Sequence, residues 1–114
     1  TVDRLKSELL LLMDGVERLA RAPIPLRVTR HDGWLALRRA VAAAQYKSEL
    51  RRAEDPVDAV VCAYVGLYAQ RCPAAVTIYG DPDTGCIVTP SPPDTPIGSV
   101  RSAPGADRWG PAPR

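Results

Sequence analysis

The chain has 114 residues, 46% of them hydrophobic, and a formal net charge of +2. That length holds one domain at most. The charge is too small to indicate nucleic-acid binding by itself, and no apolar run is long enough to cross a bilayer, so no membrane partner is expected.

Residues 2–21 carry Leu5, Leu9, Leu12, Val16 and Leu19 at alternating four- and three-residue steps. This spacing predicts an amphipathic helix with those side chains inward. Pro23 and Pro25 end it and lead into a short extended piece. Asp32 then stands where it can cap a second helix, whose inner stripe is Trp34, Leu37, Val41 and Ala44. The segment "YKSELRRA" either continues that helix or forms the turn before Asp55.

A third helix is predicted over "EDPVDAVVCAYVGLYAQ", residues 54–70. Asp55 can act as its N-cap and Pro56 fits the first helical position. Asp58 would then be the third helical residue, facing the positive end of the helix dipole. On a helical wheel it lies beside the stripe of Val57, Val61, Tyr64 and Tyr68. A face of small residues, Ala59, Ala63 and Gly66, runs next to it. That placement points Asp58 toward a cleft at the rim of a packed interface. A carboxylate there is paired, protonated or bound to a metal. Pro73 stops the helix near "QRCP".

Val76, Ile78, Cys86, Ile87 and Val88 are β-prone, and "GDPDTG" between them is dense in turn formers. A hairpin is the natural reading, with a wider loop between two short strands as the alternative. Asp81 and Asp83 read as turn residues, because the later ligands of a calcium loop are missing. Nine of the residues from 91 to 114 are Pro or Gly and few are apolar, which predicts a disordered tail. The organisation expected is a mainly α body over residues 1–90, three helices plus a short hairpin, followed by the tail at 91–114.

Arg38, Arg39, Lys47, Arg51 and Arg52 face only Glu49 in charge over that stretch. They suggest either a phosphate-facing patch or a solvated helix face. Cys62, Cys72 and Cys86 have no metal-ligand spacing, and their odd number suggests a reducing cytoplasm. His31 is the lone histidine and reads as a surface residue. The first residue is Thr1 rather than Met, which suggests a processed product or a fragment.

Two stretches together, "EDPVDAVVCAYVGLYAQ" and "YGDPDTGCIVTP", resemble the C-terminal part of the domain-of-unknown-function 429 family, whose members are predicted RNase H-like nucleases. The matching positions are Glu54, Asp55, Asp58, Ala59, Ala63, Gly80, Asp81, Gly85, Ile87, Val88 and Pro90. The resemblance covers roughly residues 1–93. It implies the C-terminal part of an RNase H-like α/β fold and, in an intact protein, metal-dependent hydrolysis of nucleic-acid phosphodiesters. By the same resemblance Asp58 would be a catalytic metal ligand for Mg²⁺ or Mn²⁺ and Asp55 its auxiliary. Arg38, Arg39, Arg51 and Arg52 would be nucleic-acid contacts. The family's first catalytic Asp and its middle Glu lie on strands absent here, so a missing N-terminal segment or a partner chain would have to supply them. This chain alone would be inactive. The alternative from a different class is a non-catalytic helical interaction module that binds a partner chain through its apolar faces.

Overall fold

The computed structural model describes residues 1–92. Among them are three α-helices and one two-stranded antiparallel sheet: α1 (Val2–Arg18), α2 (Asp32–Ala43), α3 (Lys47–Arg71), β1 (Val76–Asp81) and β2 (Gly85–Pro90). The chain forms two compact units, Thr1–Cys62 and Ala63–Arg114, and the division falls within α3. The expected tail lies outside the described residues except at its start, Ser91 and Pro92.

The first unit is the three-helix body. Thr1 caps α1, its hydroxyl accepting the Arg4 amide at 3.2 Å. The helix period is as expected, and Leu9 and Val16 face inward as read, but Leu5 and Leu12 do not. The buried residues are Leu9, Met13 and Val16, whereas Leu5 and Leu12 are 38% and 43% exposed. The buried stripe is rotated toward Met13. The reason lies on the opposite flank, where Asp14 and Glu17 bind α2 and turn that side of α1 inward. Beyond α1 a 3-10 turn at Leu19–Arg21 precedes the two prolines. The expected extended piece instead includes a second 3-10 turn, Val28–Arg30, with Val28 buried.

α2 buries Trp34 and Val41, and Ala44 just beyond it, with Leu37 packed against the same cluster. This is the stripe read from the sequence. Its start differs by one residue. Asp32 is the first helical residue and His31 holds the cap position without a side-chain hydrogen bond. Asp32 therefore acts on the helix dipole rather than as a cap. Among the helix pairs, α1 and α2 pack most extensively on each other.

α3 corrects the reading around Asp55. It begins at Lys47, not at Asp55. The Glu49 carboxylate accepts the backbone N–H groups of Gln45 at 2.7 Å and Tyr46 at 3.0 Å. This is the reach-back half of a capping box, and it satisfies donors that a helix start otherwise leaves free. Pro56 consequently stands inside the helix. There its ring crowds the Arg52 carbonyl and no amide can bond to it. Burial explains why the helix continues through the proline. Leu50, Ala53 and Val57, on both sides of it, all enter the core and Val57 is fully buried. Val61, expected at the centre of the stripe, is half-buried at its edge.

In the second unit α3 ends at Arg71 and Pro73 opens a short 3-10 turn, as the sequence indicates. The hairpin pairs Val76 with Pro90 through to Asp81 with Gly85. Gly80 has φ +93° and Gly85 φ +118°, values that favour glycine. A Cβ at Gly80 would overlap the Gly85 carbonyl oxygen. Asp81 closes the turn by accepting the Asp83 amide at 2.8 Å, the Thr84 amide at 3.0 Å and the Thr84 hydroxyl at 2.9 Å. The Ser91 amide bonds to the Ala75 carbonyl at 2.8 Å, and its hydroxyl lies 2.9 Å from that of Thr77.

Candidate functional site, a groove between α1 and α3

Rotation of α1 toward Met13 leaves Leu5 and Leu12 at the edge of its buried face. They open onto a groove of about 370 Å³ shared with α3. Leu5, Leu9, Leu12 and Leu50 give it apolar walls. Its charged margin is Glu8, Arg51, Glu54 and Asp58. Leu5 to Leu12 and Leu50 to Asp58 each span about two helical turns, so the groove is roughly 10–12 Å long.

Asp58 does line a cleft at the rim of the packed helices, but from the middle of α3. Its helix-start role is lost, and with it the dipole interaction expected there, which fades beyond the first turn. Its acidic neighbour on α3 within the groove is Glu54, one turn earlier, not Asp55. Asp55 is exposed and lines no part of the groove. Two carboxylates at i and i+4 repel mildly. Neither Glu54 nor Asp58 has an ion pair among the described residues. Glu8 has one, with Arg4 at 3.1 Å, on an exposed surface.

The fit to a two-metal centre is poor. Such a centre needs three or four carboxylates converging on cations about 4 Å apart. Here one helix brings two, Glu8 is held by Arg4, and Arg51 adds a cation to the same margin. Among the described residues no three His, Cys, Asp or Glu side chains are grouped to hold a metal ion.

The four arginines do not share one surface. Arg38 is a tie between helices, its guanidinium donating to Glu17 at 2.8 Å and Asp14 at 2.5 Å. The Trp34 indole N–H donates to the other Glu17 oxygen at 3.1 Å. A guanidinium so engaged is not free for phosphate. Arg51 lines the α1–α3 groove. Arg52 lines a different hollow, with Leu37, Ala40, Ala43, Glu49 and Ala53. Arg39 is exposed. The reading of a basic patch followed from proximity in sequence, and helical geometry separates its members.

Among the described residues three titratable groups are displaced from their ordinary values: Tyr64 is pushed up by burial and then by the neighbouring Tyr68 and Cys72, and the other two are carboxylates held by hydrogen bonds. Glu49 is held low by the Gln45 and Tyr46 amides. Asp81 is held low by the Thr84 amide and hydroxyl, then by the Asp83 amide. His31, expected on the surface, is exposed, as are Cys62 and Cys86.

No family model matches the chain, no curated protein is detectably similar to it, and no solved structure matches it. The resemblance to the domain-of-unknown-function 429 family therefore rests on its own residues. Several of these have local structural reasons: Gly80, Asp81 and Gly85 build the hairpin turn. Among the described residues no helix is long and apolar enough to cross a membrane.

The groove itself was only partly legible. The leucines of α1 are conspicuous in sequence, but their period assigns them to the core. The signal for an open edge is an excess: Leu5, Leu9, Leu10, Leu11 and Leu12 crowd more of the wheel than one neighbouring helix covers.

Proposed function

We propose that the Thr1–Cys62 unit is a helical interaction module that receives a partner segment in the α1–α3 groove. The observation that carries this reading is the exposure of Leu5 and Leu12 beside an apolar-walled groove. Large exposed apolar side chains rimmed by charges are the usual mark of a protein-binding surface. Two parallel walls of leucine, two helical turns long, suit the apolar stripe of a helix laid between them. The test is selection from a displayed library of helical peptides with apolar residues at i, i+3/i+4 and i+7 and randomised flanks. Binders are expected that lose affinity for Leu12→Lys and keep it for Leu11→Lys. Leu11 is 66% exposed and lies outside the groove. Absence of any binder sensitive to Leu12 would refute the proposal.

A second reading follows the family resemblance: the C-terminal part of an RNase H-like nuclease that hydrolyses nucleic-acid phosphodiesters with Mg²⁺ or Mn²⁺. It is favoured by one observation, the location of Asp58 and Glu54 together at a groove. On this reading Asp58 is a metal ligand and the remaining carboxylates come from a segment or partner outside these residues. Asp55, facing elsewhere, is the weaker assignment. Adding Mn²⁺ to the chain separates the readings. The interaction reading expects no change in the Asp58 carboxylate resonance at stoichiometric metal, and selective paramagnetic broadening there would favour the nuclease.

A further inference from the structure

We infer that the segment which occupies the α1–α3 groove is a cationic amphipathic helix, a deduction that rests on the interaction reading above. The chain as a whole is weakly basic, at +2, yet the groove margin is not. Glu8, Glu54 and Asp58 stand against Arg51, a local balance of −2. Glu8 has its own partner in Arg4. Glu54 and Asp58, one turn apart on α3, have none among the described residues. A ligand that docks on the leucines brings its flanking side chains over these two carboxylates. Lys or Arg there gains two ion pairs and relieves the mutual repulsion of the pair. Glu or Asp, or the phosphates of a nucleic acid, would add to that repulsion.

The dimensions set the pattern the ligand must show. A groove two turns long admits apolar anchors at i, i+3 or i+4, and i+7. The cations belong on the side that faces α3, beside Glu54 and Asp58 and clear of Arg51 at the start of the same wall. The α1 wall offers only the already paired Glu8. The ligand is therefore asymmetric: its basic edge runs along α3 and its other edge is neutral. Free basic side chains of this kind also fix the direction in which the helix lies, because reversing it would swap the edges.

The experiment uses the full chain and the same displayed helical library, now read for charge. Peptides that survive Leu12→Lys counter-selection should be enriched in Lys and Arg along one edge. A synthesised binder should weaken about tenfold on the double variant Glu54→Lys, Asp58→Lys, and steeply with added salt. A matching variant at Asp55, Asp55→Lys, should leave affinity unchanged. Groove-dependent binders with neutral or acidic edges, or no loss on reversing Glu54 and Asp58, would overturn the cationic assignment while leaving the groove itself intact. Self-association of the chain that Leu12→Lys abolishes would also overturn it, by making a second copy the occupant. No groove-dependent binder at all would remove both readings.

Discussion

Replacing Glu17 with Ala should be the most damaging polar substitution on α1, and its cost can be worked out from its partners. One Glu17 oxygen accepts the Trp34 indole N–H at 3.1 Å and the other accepts Arg38 at 2.8 Å. Trp34 is buried. Left without an acceptor, its N–H would cost about 1–3 kcal/mol. The Arg38 tie is half exposed and keeps Asp14, so its loss adds at most about 1 kcal/mol. The total expected is about 1–4 kcal/mol, centred near 2. With a urea dependence of about 1–3 kcal/mol per molar, a central loss of about 2 kcal/mol lowers the midpoint by roughly 0.7–2 M. The assay is urea unfolding followed by far-UV circular dichroism. Glu17→Gln keeps an acceptor for Trp34 and should cost about 1 kcal/mol. Glu8→Ala breaks only the exposed pair with Arg4 and should stay within about 0.5 kcal/mol. A Glu17→Ala midpoint no lower than that of Glu8→Ala would refute the claim that this network joins α1 to α2, and would return Arg38 to the exposed surface.

The remaining predictions concern α3 and the hairpin. Pro56→Ala restores an amide opposite the Arg52 carbonyl and should raise stability by about 1 kcal/mol or more by urea unfolding; a loss would mean that the proline bend is what seats Val57. Gly80→Ala should abolish hydrogen-exchange protection of the β1–β2 amides, because its Cβ meets the Gly85 carbonyl; retained protection would contradict the turn geometry. Asp81 should titrate below the usual value of about 3.9, followed through the Thr84 amide shift. Because its folded value is depressed, its contribution is fully present above pH 4 and is lost as the pH falls through the folded value. A midpoint at or above 3.9 would mean the Thr84 and Asp83 contacts are not made in solution.

Element type was readable from the sequence, as was the start of α1 at Val2, but the start of α3 was not. Periodicity identified α1 and α2, and turn chemistry identified the hairpin, because both are set by neighbours within a few residues. The start of α3 failed for an identifiable reason. Asp55 and Pro56 form a strong local signal, while the true signal, Glu49 reaching back to Gln45 and Tyr46, lacks the usual Ser or Thr cap. Burial of Leu50, Ala53 and Val57 then outweighs the proline. The site suffered from the same displacement. Asp58 does line a groove, and once α3 runs through residue 54 it is Glu54, at i−4 on the same face, rather than Asp55 that accompanies it there. Arg38 illustrates the other limit. Its partners Asp14 and Glu17 lie on another helix, and no local pattern connects them.

The most direct test of the groove is a methyl-resolved NMR titration of the full chain with a selected basic helical peptide. The predicted result is that shift changes concentrate on the methyls of Leu5, Leu9, Leu12 and Leu50, with intermolecular contacts to the peptide's apolar stripe. Changes centred instead on the methyls of Ile87 and Val88, or spread evenly over the chain, would contradict the assignment of the α1–α3 groove as the binding surface.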